Sequence, residues 1–128
     1  MNYYFSKKFS GRFEKIQEKT VDALKQQGFG ILTEIDVQET LKKKLGVDFR
    51  KYKILGACNP PFAYRALQTE DKIGTMLPCN VIVQETEPGQ VEVAAIDPVA
   101  SMQAVDNPEL EGIAGQVQEK LRRALESL

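Results

Sequence analysis

The sequence contains no histidine among its 128 residues. Histidine is the commonest metal ligand in proteins and the side chain that most often serves as a general base near neutral pH. Its absence excludes Ser-His-Asp and Cys-His catalysis within one chain. A zinc site would have to use cysteine and carboxylate ligands, shared between subunits.

The chain also lacks an excess of charge of either sign. Lysine and arginine number 17, aspartate and glutamate number 18, and the formal net charge is −1. Binding to nucleic acid or to an anionic membrane draws on a positive surface, so we expect neither partner. A chain of this length suits one domain, and we expect a single domain over residues 1–128.

Long apolar segments are missing as well. No run approaches the ~20 residues that cross a bilayer, and the first ten residues, MNYYFSKKFS, lack the apolar segment of a signal peptide. Cysteine is scarce, with two residues in the chain. These features predict a cytoplasmic protein whose thiols stay reduced.

The pattern of apolar residues predicts an α+β fold, a sheet with helices on one face. Two long amphipathic helices, over residues 11–27 and 108–125, are expected on the same side of that sheet. Ser10 is expected to cap the first helix and Gly28 to end it. In the second strand the alternation predicts one face formed by Phe29, Ile31, Thr33, Ile35 and Val37, and the other formed by Leu32, Glu34 and Asp36. The short helix that follows is expected to turn Leu41 and Leu45 inward.

Both cysteines are followed by asparagine and lie beside proline, in LGACNPP (55–61) and LPCNVIV (77–83). The two prolines suit the first turn of a helix, and a break near Thr69 predicts a second short helix over 71–76. Two half-length helices would return the chain to the end of the sheet that it left. We therefore expect Cys58–Asn59 and Cys79–Asn80 to share one cleft. Alternatively, the cysteines are buried apolar side chains and the asparagines turn the backbone.

Glu34 is the third chemically active residue of this hypothesis. If the sheet brings it to the cleft, Cys58, Cys79 and Glu34 form a set of two sulfur ligands and one oxygen ligand for a divalent metal. Alternatively, Glu34 and Asp36 face solvent, and Asp36 caps the next helix.

Two functions are compatible with such a cleft. The first is a small binding module that holds a small ligand or a metal near the two Cys-Asn pairs. The second is a thiol-dependent enzyme or redox protein that uses Cys58, since the dipole of the helix beginning at the prolines would lower the pKa of that thiol. Arg65 on that helix is expected to be exposed, with anion binding as the alternative.

Three phrases span nearly the whole chain: GFGILTEIDVQETLKKKLGVDFRKYKILGACNPPFAYRAL (28–67), LPCNVIVQE (77–85) and VEVAAIDP (91–98). They closely resemble the domain-of-unknown-function 302 family, and TEIDV and GACNPP are specific to it. The resemblance implies an α+β fold of the TATA-binding-protein-like type, with a curved antiparallel sheet backed by helices, and it implies no DNA binding. The family has no established activity, so the resemblance supplies no function.

The first strand predicts a homodimer. Little in the segment NYYFSKK blunts the edge of a sheet apart from its two lysines. Tyr3, Tyr4 and Phe5 exceed what one buried face needs, so one of these aromatic side chains is expected to meet a partner chain.

Overall fold

A computed structural model describes residues 2–128. Its strands form one antiparallel five-stranded sheet in the order β1-β5-β4-β3-β2. The elements are β1 (Tyr4–Ser10), α1 (Phe13–Gln26), β2 (Gly30–Asp36), α2 (Val37–Leu45), β3 (Tyr52–Cys58), α3 (Pro60–Thr69), a 3-10 helix (Asp71–Met76), β4 (Cys79–Glu87), β5 (Gln90–Ile96), α4 (Pro98–Ser101) and α5 (Pro108–Glu126).

The core lies between the sheet and one layer of helices. Leu55, Val81 and Ala95 are paired across three neighbouring strands and are at most 1% exposed. The buried stripes of α1 and α5 pack over this face; the stripe of α5 is Leu110, Ile113, Ala114, Val117, Leu121, Ala124 and Leu125. The expected α+β fold, with both long helices on the same side, is therefore confirmed.

The helix ends follow local chemistry. Asp36 Oδ1 accepts a hydrogen bond from the Glu39 backbone N–H at 3.0 Å and caps α2, which ends at Gly46 in the left-handed conformation. Gly28, with φ of 87°, follows the end of α1 as expected. The expected cap at Ser10 is wrong, because Ser10 is still in β1 and its hydroxyl accepts a hydrogen bond from Gln90 Nε2.

The expected assignment of residues to the two faces of β2 is also wrong, because a β-bulge interrupts the alternation of side chains. The pairing with β3 shifts between Ile31 and Thr33, so Leu32 has no direct partner. Ile31 packs against the core, whereas Ile35 is 48% exposed and Glu34 lies opposite the buried Leu55. Glu34 thus belongs to the helix-covered face of the sheet.

Helix α2 makes less contact with the core than expected. No residue of α2 is buried, and Leu45 is 68% exposed, so the prediction that Leu45 turns inward is wrong.

A separate observation concerns the bilayer. Within residues 2–128, none of the helices has the length and apolarity needed to cross a membrane.

Candidate functional site: an apolar cavity

A cavity of about 340 Å³ lies where β3 ends and β4 begins, under α3 and α5. Pro60 and Pro61 occupy the first turn of α3, and extended backbone at Glu70 ends that helix and leads into the 3-10 helix. The chain then returns to the same end of the sheet, where Cys79 pairs with Ala57. The predicted break and the predicted second short helix are both confirmed.

The cavity wall is almost entirely apolar. Within the described part of the chain no charged side chain lines it, and its polar groups are two thiols and one amide. The lining residues are Phe29, Leu32, Cys58, Asn59, Phe62, Ala63, Ala66, Leu67, Gly74, Leu77, Pro78, Cys79, Pro98, Met102, Leu110, Ile113, Ala114 and Val117.

Both cysteines line this cavity and neither is in a disulfide. Burial raises the pKa of the Cys58 thiol. Burial, together with the neighbouring Cys58, raises the pKa of Cys79 to about 11. The pKa of Cys58 is shifted in the direction opposite to the one expected from the start of α3, and the cause of this shift is the burial of the thiol. Both thiols are therefore neutral at pH 7 and are weak hydrogen-bond donors.

The two asparagines are separated by the sheet. Asn59 is buried, lines the cavity and donates a hydrogen bond from Nδ2 to the backbone oxygen of Gln27 at 3.1 Å. Asn80 pairs with Gly56, follows the buried Cys79 and is exposed on the face of the sheet that the helices leave open. The structure thus brings Cys58, Asn59 and Cys79 to one cavity and leaves Asn80 outside it.

Glu34 does not reach the cavity. Its Oε1 accepts hydrogen bonds from Gln17 Nε2 at 2.6 Å and from Lys53 Nζ at 3.0 Å. It pairs with Leu55, three residues before Cys58, which corresponds to about 10 Å along the strand. Nor do residues 2–128 contain any group of three or more Cys, Asp or Glu side chains that could hold a metal ion. The expected metal set of Cys58, Cys79 and Glu34 is therefore not assembled.

The cavity opens beside two exposed leucines. Leu32 is 67% exposed and Leu67 is 44% exposed, although both line the cavity. Leu32 occupies this position because the bulge in β2 removes it from the regular pairing. Apolar side chains at an opening give an apolar ligand a route into the interior.

The sequence reasoning missed most of the cavity wall. Phe62, Ala66 and Leu67 recur at helical spacing in α3, and Ile113 and Val117 belong to the apolar stripe of α5. Such patterns indicate packing, because core residues and the wall of an apolar cavity share the same periodicity.

The fold and the site together define an α+β protein with an open antiparallel sheet and an apolar cavity at one end of its helical layer. Residues 5–128 match the model of the family described as Domain of unknown function DUF302. The chain belongs to this family, as the resemblance of its sequence predicted.

A solved structure supports the same assignment. The uncharacterized conserved protein DUF302 from Bacillus stearothermophilus is 30% identical to this chain, with a TM-score of 0.90 and coverage of 98% of each chain. No functionally curated protein matches the chain.

Proposed function

We propose that the protein is a binding module that holds a small apolar molecule in the cavity between β3, β4, α3 and α5. The observation that carries this proposal is a cavity of about 340 Å³ whose wall contains no charged side chain within residues 2–128. Ligand sites are typically concave, about 300–1,000 Å³ in volume and mostly apolar, with a few polar groups.

The energetics favour an apolar occupant. Burial of apolar surface contributes about 25 cal/mol per Å², and an engineered apolar cavity of about 150 Å³ binds benzene. The cavity here has roughly twice that volume. Asn59 and the thiols of Cys58 and Cys79 are the polar groups available to orient a ligand.

The chemistry of the site gives less support to the other functions. A thiol enzyme needs an activated thiolate, whereas burial raises the pKa values of Cys58 and Cys79. The three-ligand metal site lacks Glu34, which pairs with Lys53 instead.

We infer a cytoplasmic location from the two free cysteines.

Thermal unfolding in the presence of 1-octanol tests the binding function. A ligand that binds only the folded state at 100 times its Kd stabilises that state by about 2.7 kcal/mol. For a chain of this size, we expect the Tm to rise by roughly 10 °C. A Tm that is unchanged or lowered by octanol and by other small apolar molecules would contradict the proposal.

We further propose that two copies associate through the open face of the sheet. A row of small and apolar side chains crosses all five strands at one level: Ser6, Ala94, Ile82, Ile54 and Ile35. Tyr3 and Tyr4 lie beside this face, and they are 66% and 36% exposed. An apolar patch of this kind is suited to an isologous contact with a second copy.

Light scattering tests the dimer. The unchanged chain should have twice the 14.4 kDa mass of the monomer, and Ile82→Lys should return it to that mass. Gln116→Lys, on the exposed surface of α5, adds the same charge and should leave the dimer intact. A monomer mass for the unchanged chain at micromolar concentration would refute the association.

A further inference from the structure

We infer that the ligand is an anionic amphiphile, a single short alkyl chain that carries a carboxylate, with its chain in the cavity and its head beside Arg65 and Lys120. The inference rests on the proposed binding function and specifies the ligand's chemical class. It combines the uncharged cavity wall with two cations that flank one residue of that wall.

Phe62 connects the two features. Its ring forms part of the wall, and it also lies under both cations. The Arg65 guanidinium carbon lies 5.5 Å from the ring centroid, and Lys120 Nζ lies 6.0 Å from it. Each positive charge thus lies within 6.0 Å of the ring of a residue that lines the uncharged cavity.

The helices explain why the cations meet there. Arg65 is three residues after Phe62 in α3, and Lys120 is three residues after Val117 in α5, so each cation lies one turn beyond a wall residue on the same side of its helix. An alkyl chain that contacts Phe62 and Val117 would therefore end close to both charges.

Both cations are available for a ligand. No salt bridge within residues 2–128 involves Arg65 or Lys120. The nearby Glu109 lines the outer groove between α3 and α5 with Arg65, and its carboxylate accepts a hydrogen bond from Thr69 Oγ1 at 3.1 Å. Lys120 follows Glu109 by eleven residues in α5, so the two positions are about 16 Å apart along the helix axis.

Carboxylate is the head group that fits these donors. Arginine binds a carboxylate in a two-pronged geometry, and a lysine adds a point charge. A cationic head group would be repelled by both side chains, and a neutral one would gain no charge-assisted hydrogen bond. We therefore expect the order of affinity octanoate, then octanol, then octylammonium.

Isothermal titration calorimetry with these three compounds tests the inference on the full chain. At low ionic strength octanoate should bind roughly tenfold more tightly than octanol, and added salt should reduce that ratio. Arg65→Gln with Lys120→Gln should bring the ratio of the two affinities close to one. Lys19→Gln, an exposed cation on α1, should leave the ratio at its original value.

The outcomes separate the inference from the proposed function. Equal affinity for octanoate and octanol in the unchanged chain would overturn the inference while the binding function stands. A preference for octanoate that survives Arg65→Gln with Lys120→Gln would also overturn it. If none of the three compounds binds, both the inference and the binding function are wrong.

Discussion

Two alanines of α5 allow the cavity to be tested by a matched pair of substitutions. Ala114 is 2% exposed and lines the cavity, whereas Ala124 is 1% exposed, lies on the same helix and does not line it. Leucine at either position adds three carbon atoms and has nearly the helix propensity of alanine. The two variants therefore differ only in the space that the new side chain meets.

The structure sets the direction and size of each effect. At position 114 the leucine enters open apolar space, where burial of its added groups stabilises the fold by up to about 2 kcal/mol. At position 124 it enters a filled core, where overpacking costs about 1–3 kcal/mol. Ala114→Leu should therefore unfold at a higher temperature than Ala124→Leu, by roughly 12 °C for a difference of about 3 kcal/mol.

Circular dichroism during thermal and urea unfolding measures this difference. The rise in Tm caused by octanol gives a second readout. This rise should be smaller in Ala114→Leu, and the folded protein should keep it in Ala124→Leu. Equal destabilisation by the two leucines would show that Ala114 faces packed atoms, and the account of the cavity would then be wrong.

Two further predictions concern the sheet beside the cavity. Gly56→Ala should destabilise the fold by about 1–3 kcal/mol, because the added Cβ would overlap Thr33 Oγ1 and lie 2.8 Å from Pro78 Cγ. Adding Thr33→Ala should recover part of the lost stability, as measured by urea unfolding. If no stability is recovered, Thr33 is not the obstacle. The pKa of Cys79 is raised to about 11 in the folded state, which therefore keeps this thiol neutral above pH 9. In the unfolded chain the thiol ionises above about pH 9. The fold should therefore lose on the order of 2 kcal/mol of stability as the pH rises from about 9 to 11. The decline should be smaller in Cys79→Ala, and an equal decline would assign it to other groups.

The sequence predicted the path of the chain around the site because strong local signals mark it. Pro60 and Pro61 determine where α3 begins, and the segment after Thr69 cannot continue the helix, which returns Cys79 to the end of the sheet that Cys58 leaves. The end of α2 at Gly46 is equally local, because that residue adopts a left-handed conformation.

The composition of the site depended on contacts that no local pattern contains. The bulge at Leu32 is a property of the pairing between β2 and β3, and it turns Glu34 toward Gln17 and Lys53, away from the cysteines. The open volume is set by how α3 and α5 meet. Alternating or helical apolar residues predict that a face is covered, but they do not predict whether the covering leaves a space.

The most direct test of the binding function is a crystal structure determined under xenon pressure. Xenon occupies apolar cavities that are open to it and leaves packed cores empty. We expect a xenon atom in contact with Phe62, Ala66, Ala114 and Val117, and none at that position in Ala114→Leu. Side chains that close the space between α3 and α5, with no xenon bound there, would contradict the account.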